Sequence, residues 1–148
     1  MLFPWYLNRA GYNTVLPTES NTKKVQSDCE RYLSMSEPSR IPNDENGDVL
    51  RRMLRDGDDL SKPRMIDFCH IFPERRQALA FAEIVDDREL EVSISYYKER
   101  DMWQTIVRRQ MVPTHADITT FELSLAFKAE FVGGEADGWG CFVQKDKQ

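Results

Sequence analysis

The chain has 148 residues, of which 41% are hydrophobic and 30% charged, and its formal net charge is -5. This apolar fraction supports a packed core and excludes a wholly disordered protein, and the length favours one globular domain with an extension. The acidic balance disfavours nucleic acid as a direct partner, because phosphate-binding surfaces are usually built from an excess of clustered cations.

The sequence carries no sign of export, membrane insertion or metal binding. No run of about 20 apolar residues is present, and the apolar opening is interrupted by Pro4 and lacks a basic flank and a small-residue cleavage site. The cysteines Cys29, Cys69 and Cys141 lie far apart, without the CxxC spacing of a structural zinc site. We therefore expect a cytoplasmic protein with reduced thiols, no metal and no cofactor.

Residues 1–45 contain two apolar clusters without sustained periodicity, and we interpret them as a partly irregular N-terminal extension. The hydrophobic pattern becomes regular from residue 46, so residues 46–148 are predicted to form the domain. A short helix opens it, with Asn46 or Asp48 as the N-terminal cap and Gly57 as the stop.

The next segments alternate between strand and helix patterns. Residues 64–72 alternate as a strand, and Pro73 then suits the first position of a helix that continues to about residue 85. Residues 90–97 and 102–111 alternate again, separated by a charged turn, which predicts a β-hairpin.

The last third of the chain predicts a helix and a final strand. Thr114 and Asp117 resemble a capping box, with apolar residues following at helical spacing until Gly133 and Gly134. The last segment, residues 135–143, contains two glycines around Trp139, which suits an edge strand or a close backbone approach.

This order, a helix followed by βαββαβ, predicts an α+β ferredoxin-like sandwich with a four-stranded antiparallel sheet and both long helices on one face. Parity along the strands assigns Cys69, Ile71, Tyr97 and Ile106 to the opposite face of the sheet. The helix-covered layer is expected to contain the following apolar residues: Ile66, Phe68, Phe72, Leu79, Val92, Ile94, Ile118, Phe121 and Leu125.

No catalytic residues are predicted. His70 lies on the apolar parity of its strand, where a core histidine is more common than a ligand, and His115 lies in the first turn of a helix. No spacing supplies a base for Cys69 or Cys141 as a nucleophile. The strand at 102–111 also lacks the aromatic motif of an RNA-recognition sheet. The alternatives are a ferredoxin-like module that binds RNA and one that binds a different protein partner.

Four segments together resemble one known family. They are Gly57-Asp58-Asp59-Leu60, residues 64–73 (RMIDFCHIFP), residues 111–114 (MVPT) and residues 133–141 (GGEADGWGC). Over about residues 46–144 the chain is similar to the regulator of ribonuclease E activity B (RraB) family, and the GGE-x-DGWG element is the most specific part of this similarity.

The resemblance implies a cytoplasmic bacterial protein with a ferredoxin-like fold that is not an enzyme. It would bind ribonuclease E through the scaffold region of that enzyme, or another degradosome component, and inhibit RNA processing and decay by protein contact.

The GGE-x-DGWG element offers a candidate partner-binding surface: Glu135, Asp137, Gly138, Trp139 and Gly140. An amphipathic tryptophan beside a carboxylate supplies contact area and a hydrogen-bond acceptor at low entropic cost. The alternative is structural: the glycines permit a β-bulge, and Trp139 packs into the core.

Overall fold

A computed structural model of the protein describes residues 5–8 and 41–145. These residues form five strands and three α-helices, with a 3-10 turn at Lys98–Arg100. In chain order they are β1 (Trp5–Asn8), α1 (Glu45–Arg55), β2 (Arg64–Phe72), α2 (Arg75–Ile84), β3 (Leu90–Tyr97), β4 (Met102–Met111), α3 (His115–Phe131) and β5 (Glu135–Phe142).

The sheet has the order β1-β5-β2-β4-β3, and every neighbouring pair is antiparallel. The βαββαβ part supplies the four strands from β5 to β3, which confirms the ferredoxin-like fold class. The prediction that the last segment is an edge strand is wrong, because β1 occupies the edge of the sheet beside β5. Trp5 pairs with Phe142 and Asn8 pairs with Trp139. The strand β1 lies within the predicted extension 1–45, and most of that extension lies outside the described residues.

All three helices bury residues in one core together with the sheet. α3 lies in the middle of the helix layer and contacts both α1 and α2. The buried core includes Leu50 and Met53 of α1, Phe81 of α2, and Ile118 and Leu125 of α3, packed on Ile66, Phe68, Phe72, Val107 and Trp139 of the sheet.

The predicted helix-covered layer is confirmed except at one position. Val92, Ile94 and Phe121 are partly buried against the core, but Leu79 is 39% exposed. In α2 the inward positions are taken by Ala78 and Phe81, which leaves Leu79 on the solvent side. On the opposite face, Cys69 and Ile71 are buried, while Tyr97 and Ile106 are half-buried.

Two helix starts differ from the sequence prediction. The N-cap of α1 is Asp44, whose Oδ1 accepts a hydrogen bond from the backbone N of Gly47 at 2.8 Å, and neither Asn46 nor Asp48 caps the helix. Pro73 precedes the N-cap of α2, Glu74, and so does not occupy the first helical position. The cap of α3 is confirmed, because Thr114 Oγ1 accepts from the backbone N of Asp117 at 3.1 Å.

The described ranges contain three α-helices. None of them is both long enough and apolar enough to cross a bilayer.

Candidate functional site

The GGE-x-DGWG element forms the turn after α3 and most of β5. A β-bulge interrupts its pairing with β2: Gly138 lies opposite Cys69, and Ala136 lies opposite the next residue, His70. Asp137 is therefore the extra residue, and Gly138 has a φ of 97°, which favours glycine. Because of the bulge, Ala136 and Trp139, three residues apart, both pair with β2 residues of the helix-covered face.

Trp139 is a core residue. Its side chain is fully buried, and its Nε1 donates a hydrogen bond of 2.7 Å to Oδ1 of Asn46. Asn46 Nδ2 in turn donates to Glu122 Oε2 at 2.9 Å and to Thr119 Oγ1 at 3.1 Å. This polar cluster joins β5 to α1 and α3. The burial of Trp139 and the bulge at Asp137 both agree with a structural role for this part of the element.

The other residues of the candidate surface differ in their access to solvent. Gly138 and Gly140 are buried, Glu135 is exposed, and the carboxylate of Asp137 accepts a hydrogen bond of 2.8 Å from Arg100. A partner can therefore reach Glu135 and the Arg100–Asp137 pair on the surface, but it cannot reach the indole of Trp139. The partner-binding role of this element stays a prediction.

A second part of the family resemblance forms a buried ion pair. Arg64, the first residue of β2, lies 2.7 Å from Oδ2 of Asp58, and both side chains are almost fully buried. The guanidinium also donates to the backbone oxygens of Asp59 at 2.7 Å and Phe142 at 3.3 Å, and Asp58 Oδ2 accepts from the backbone N of Gln144 at 3.3 Å. The pair fixes the loop between α1 and β2 to the end of β5.

His70 and the described cysteines Cys69 and Cys141 are buried, and His115 is the first residue of α3. His70 is buried against the ring of Phe81, with ring centroids 4.7 Å apart, and burial raises the pKa of the Cys141 thiol to about 11. Nε2 of His115 lies 2.8 Å from the carboxylate of Asp44, a partner that sequence spacing could not reveal because the two residues are 71 positions apart. This contact links the N-termini of α1 and α3. Cys29 lies outside the described residues.

Metal binding was considered for the same side chains. Within residues 5–8 and 41–145, no group of three or more histidine, cysteine, aspartate or glutamate side chains is arranged to hold a metal ion.

Burial of His70 should make the free energy of unfolding depend on pH. Burial lowers the pKa of His70 from 6.5 to about 4, so between these values the unfolded chain binds a proton that the folded chain excludes. The His70 contribution to the free energy of unfolding is therefore fully present above pH 6.5 and is lost as the pH falls towards 4. We expect His70 to account for a loss of about 2 to 3 kcal/mol over this interval, measured by urea unfolding at a series of pH values.

In the variant His70→Leu, the fall in the free energy of unfolding between pH 6.5 and 4 should be smaller by this amount. His115→Gln, which changes the only other histidine, should retain the full fall. An unchanged fall in His70→Leu would show that His70 titrates normally in the folded protein.

The outer face of α3 carries exposed apolar residues that the sequence analysis missed. Leu123, Phe127 and Phe131 are 45%, 74% and 80% exposed. They are spaced four residues apart and so lie on one side of the helix. In the sequence these residues form a second apolar stripe. It was overlooked because the first stripe, from Ile118 to Ala129, already supplies the apolar face that a core helix needs.

A cleft adjoins this face at the first half of α3. Its volume is about 460 Å³, and Arg109 and Met111 of β4 and Phe121 of α3 line it together with Ala116, Asp117, Thr120 and Ser124. The guanidinium of Arg109 lies 4.8 Å from the centroid of the Phe121 ring, a cation–π contact.

Comparison with known proteins identifies the family. The family model described as regulator of ribonuclease activity B matches residues 43–141, more than half of the chain. No curated protein and no solved structure matches significantly. The segments around Asp58, Arg64 and Trp139 lie within the matched range, and the fold is the one that the resemblance implies. The chain therefore belongs to the regulator of ribonuclease activity B family.

Proposed function

We propose that the protein is a noncatalytic regulator that binds ribonuclease E through the scaffold region of that enzyme and thereby lowers RNA processing and decay. The family match over residues 43–141 carries this proposal, because members of the family are regulators of ribonuclease activity. A protein partner, itself a ribonuclease, follows from that role. The choice of ribonuclease E and of its scaffold region is our further step.

The roles of the reactive side chains support action by contact. Cys141 has a raised pKa, which disfavours the thiolate needed for nucleophilic attack. Asp58 and Arg64 neutralise each other in a buried pair, and His115 binds the cap of α1. The Asp58–Arg64 pair and His115 thus have structural roles, and exposed apolar surface is available to a partner.

The opposite face of the sheet favours a protein over RNA as the partner. Arg108, the basic residue on this face that an RNA-binding module would use, lies 3.2 Å from the carboxylate of Asp67 and opposite Glu91 of β3. Partial burial raises the pKa of Asp67, while Arg108 acts in the other direction. A cation already paired with a carboxylate is poorly placed to bind phosphate groups.

A titration of the full-length chain with the purified scaffold region of ribonuclease E tests the proposal. We expect a complex with a Kd in the micromolar range or tighter, and slower RNA cleavage by full-length ribonuclease E but not by its catalytic half alone. Single-stranded RNA serves as the competing ligand at low and high salt. Absence of a complex with folded protein would contradict the proposal, and salt-sensitive RNA binding would favour the RNA-binding alternative.

A further inference from the structure

The most exposed aromatic side chains of the described chain lie on the outer face of α3, which comprises Leu123, Phe127 and Phe131. The opposite side of the same helix, with Ile118, Leu125 and Ala129 among others, is buried in the core. The exposed residues therefore contribute little to folding. Contiguous apolar surface of this kind is characteristic of interaction sites.

The area of the outer face limits what can occupy it. With about 200 Å² for each phenylalanine, Phe127 and Phe131 together leave roughly 300 Å² exposed. Any occupant that covers this face alone would bury roughly 600 to 800 Å² in total, below the ~1,200 Å² of a typical stable interface, so the contact is a small and reversible one. Two copies of the chain would each carry a net charge of -5, so they repel each other. A stable homodimer is thus disfavoured.

The shape of the face fits a single helix of another protein. Three anchor positions one helical turn apart extend over about 12 Å, the length of two to three turns. An amphipathic helix presents apolar side chains at matching intervals along one side, which is a recurrent mode of peptide recognition.

Arg109 in the adjoining cleft favours a negatively charged side chain on that helix. Ser124, which lines the cleft, precedes Phe127 by three residues, so the cleft and the outer face are continuous along α3. Arg109 is half-buried there, and within the described ranges no carboxylate forms an ion pair with it. Asp117 also lines the cleft, but its carboxylate accepts a hydrogen bond from Thr114 Oγ1 at 2.8 Å. A carboxylate from outside can therefore complete the environment of Arg109.

We propose that the outer face of α3 docks an amphipathic helix of the protein partner, whose apolar side chains cover Leu123, Phe127 and Phe131 and whose carboxylate meets Arg109. The identity of the partner rests on the proposed function. The surface and the chemistry of its ligand rest on the geometry alone.

Two synthetic peptides test the surface without ribonuclease E. They share a helical leucine stripe and differ in one residue, glutamate or lysine, near the end that faces Arg109. We expect saturable binding of the full-length chain to the glutamate peptide, about tenfold tighter than to the lysine peptide. Arg109→Gln should abolish this preference and Arg109→Glu should reverse it. No binding of either peptide, or an unchanged preference in both variants, would overturn the proposal.

The double variant Phe127→Ala/Phe131→Ala should weaken binding of the glutamate peptide at least about tenfold. Its matched control is Phe142→Ala, because Phe142 is 56% exposed on β5, away from α3. Thermal midpoints of all variants establish that they are folded. A stable dimer in sedimentation velocity that the double variant dissolves would instead identify a second copy as the occupant and overturn the proposal.

The same variants distinguish this proposal from the proposed function. If the scaffold region binds the wild type and the double variant equally, the surface is wrong and the regulatory function is retained. If the scaffold region binds neither protein while the glutamate peptide binds the wild type as expected, ribonuclease E is not the partner and the docking surface is retained.

Discussion

Asp58→Ala is expected to destabilise the protein by about 3 to 5 kcal/mol, one of the two largest effects of a single substitution. The substitution leaves the guanidinium of Arg64 charged and almost fully buried, without the carboxylate at 2.7 Å. The backbone oxygens of Asp59 and Phe142 still accept from Arg64, but they carry no full charge. Urea unfolding at neutral pH measures the effect, and the midpoint should shift without a large change in slope.

Asp59→Ala is the matched control for this prediction. Asp59 is the neighbouring aspartate, its carboxylate accepts from Ser61 near the surface, and its contact with Arg64 uses a backbone oxygen that alanine keeps. We expect the free energy of unfolding of Asp59→Ala to differ only slightly from that of the wild type. The double variant Asp58→Leu/Arg64→Met should recover most of the loss, because it removes both charges together. Equal stabilities of Asp58→Ala and Asp59→Ala would show that Arg64 is hydrated in solution.

The regular elements could be predicted because their signals are local. Alternating patterns located β2, β3 and β4, and the pairing of Thr114 with Asp117 located the start of α3. The strand patterns repeat over several residues, so a single unusual side chain does not change the interpretation.

The start of α1 could not be chosen from local sequence. Asn43, Asp44, Asn46 and Asp48 all carry side chains suited to capping. With Asp44 as the cap, Asn46 lies inside the core, where its amide oxygen accepts a hydrogen bond from Trp139, 93 residues away, a contact that local sequence cannot reveal. The pairing of β1 with β5 was missed for a related reason, since a four-residue strand without periodicity is defined only by its distant neighbour.

The residues that carry the family resemblance are mostly interior residues. Asp58 and Arg64 form the buried pair, Trp139 is in the core, and Gly134 lies so close to Phe72 that a Cβ atom would come within 2.2 Å of its ring. These residues identify the fold and the family because they hold the structure together. The contact surface has to be found from exposure instead, because the apolar stripe with Phe127 and Phe131 cannot be told from a core stripe in the sequence alone.

Trp139→Ala is expected to cost about 3 to 5 kcal/mol and to lower the thermal midpoint by roughly 10 °C or more. The side chain is fully buried, so its removal leaves a cavity between β5 and the helices. It also removes the donor at 2.7 Å from Oδ1 of Asn46, which orients the amide towards Glu122 and Thr119. Differential scanning calorimetry measures both the midpoint and the enthalpy.

Two further variants separate packing from hydrogen bonding at Trp139. Trp139→Phe keeps most of the apolar volume and loses the N–H, so we expect a smaller cost of about 1 to 3 kcal/mol. In Asn46→Ala the indole N–H loses its acceptor, and combining the two substitutions should cost less than the sum, because each removes the same hydrogen bond. Trp103→Ala, at a half-buried tryptophan on β4, should cost less than Trp139→Ala. Strict additivity of Trp139→Phe and Asn46→Ala would mean that the two side chains are not coupled and that Asn46 acts through α3 alone.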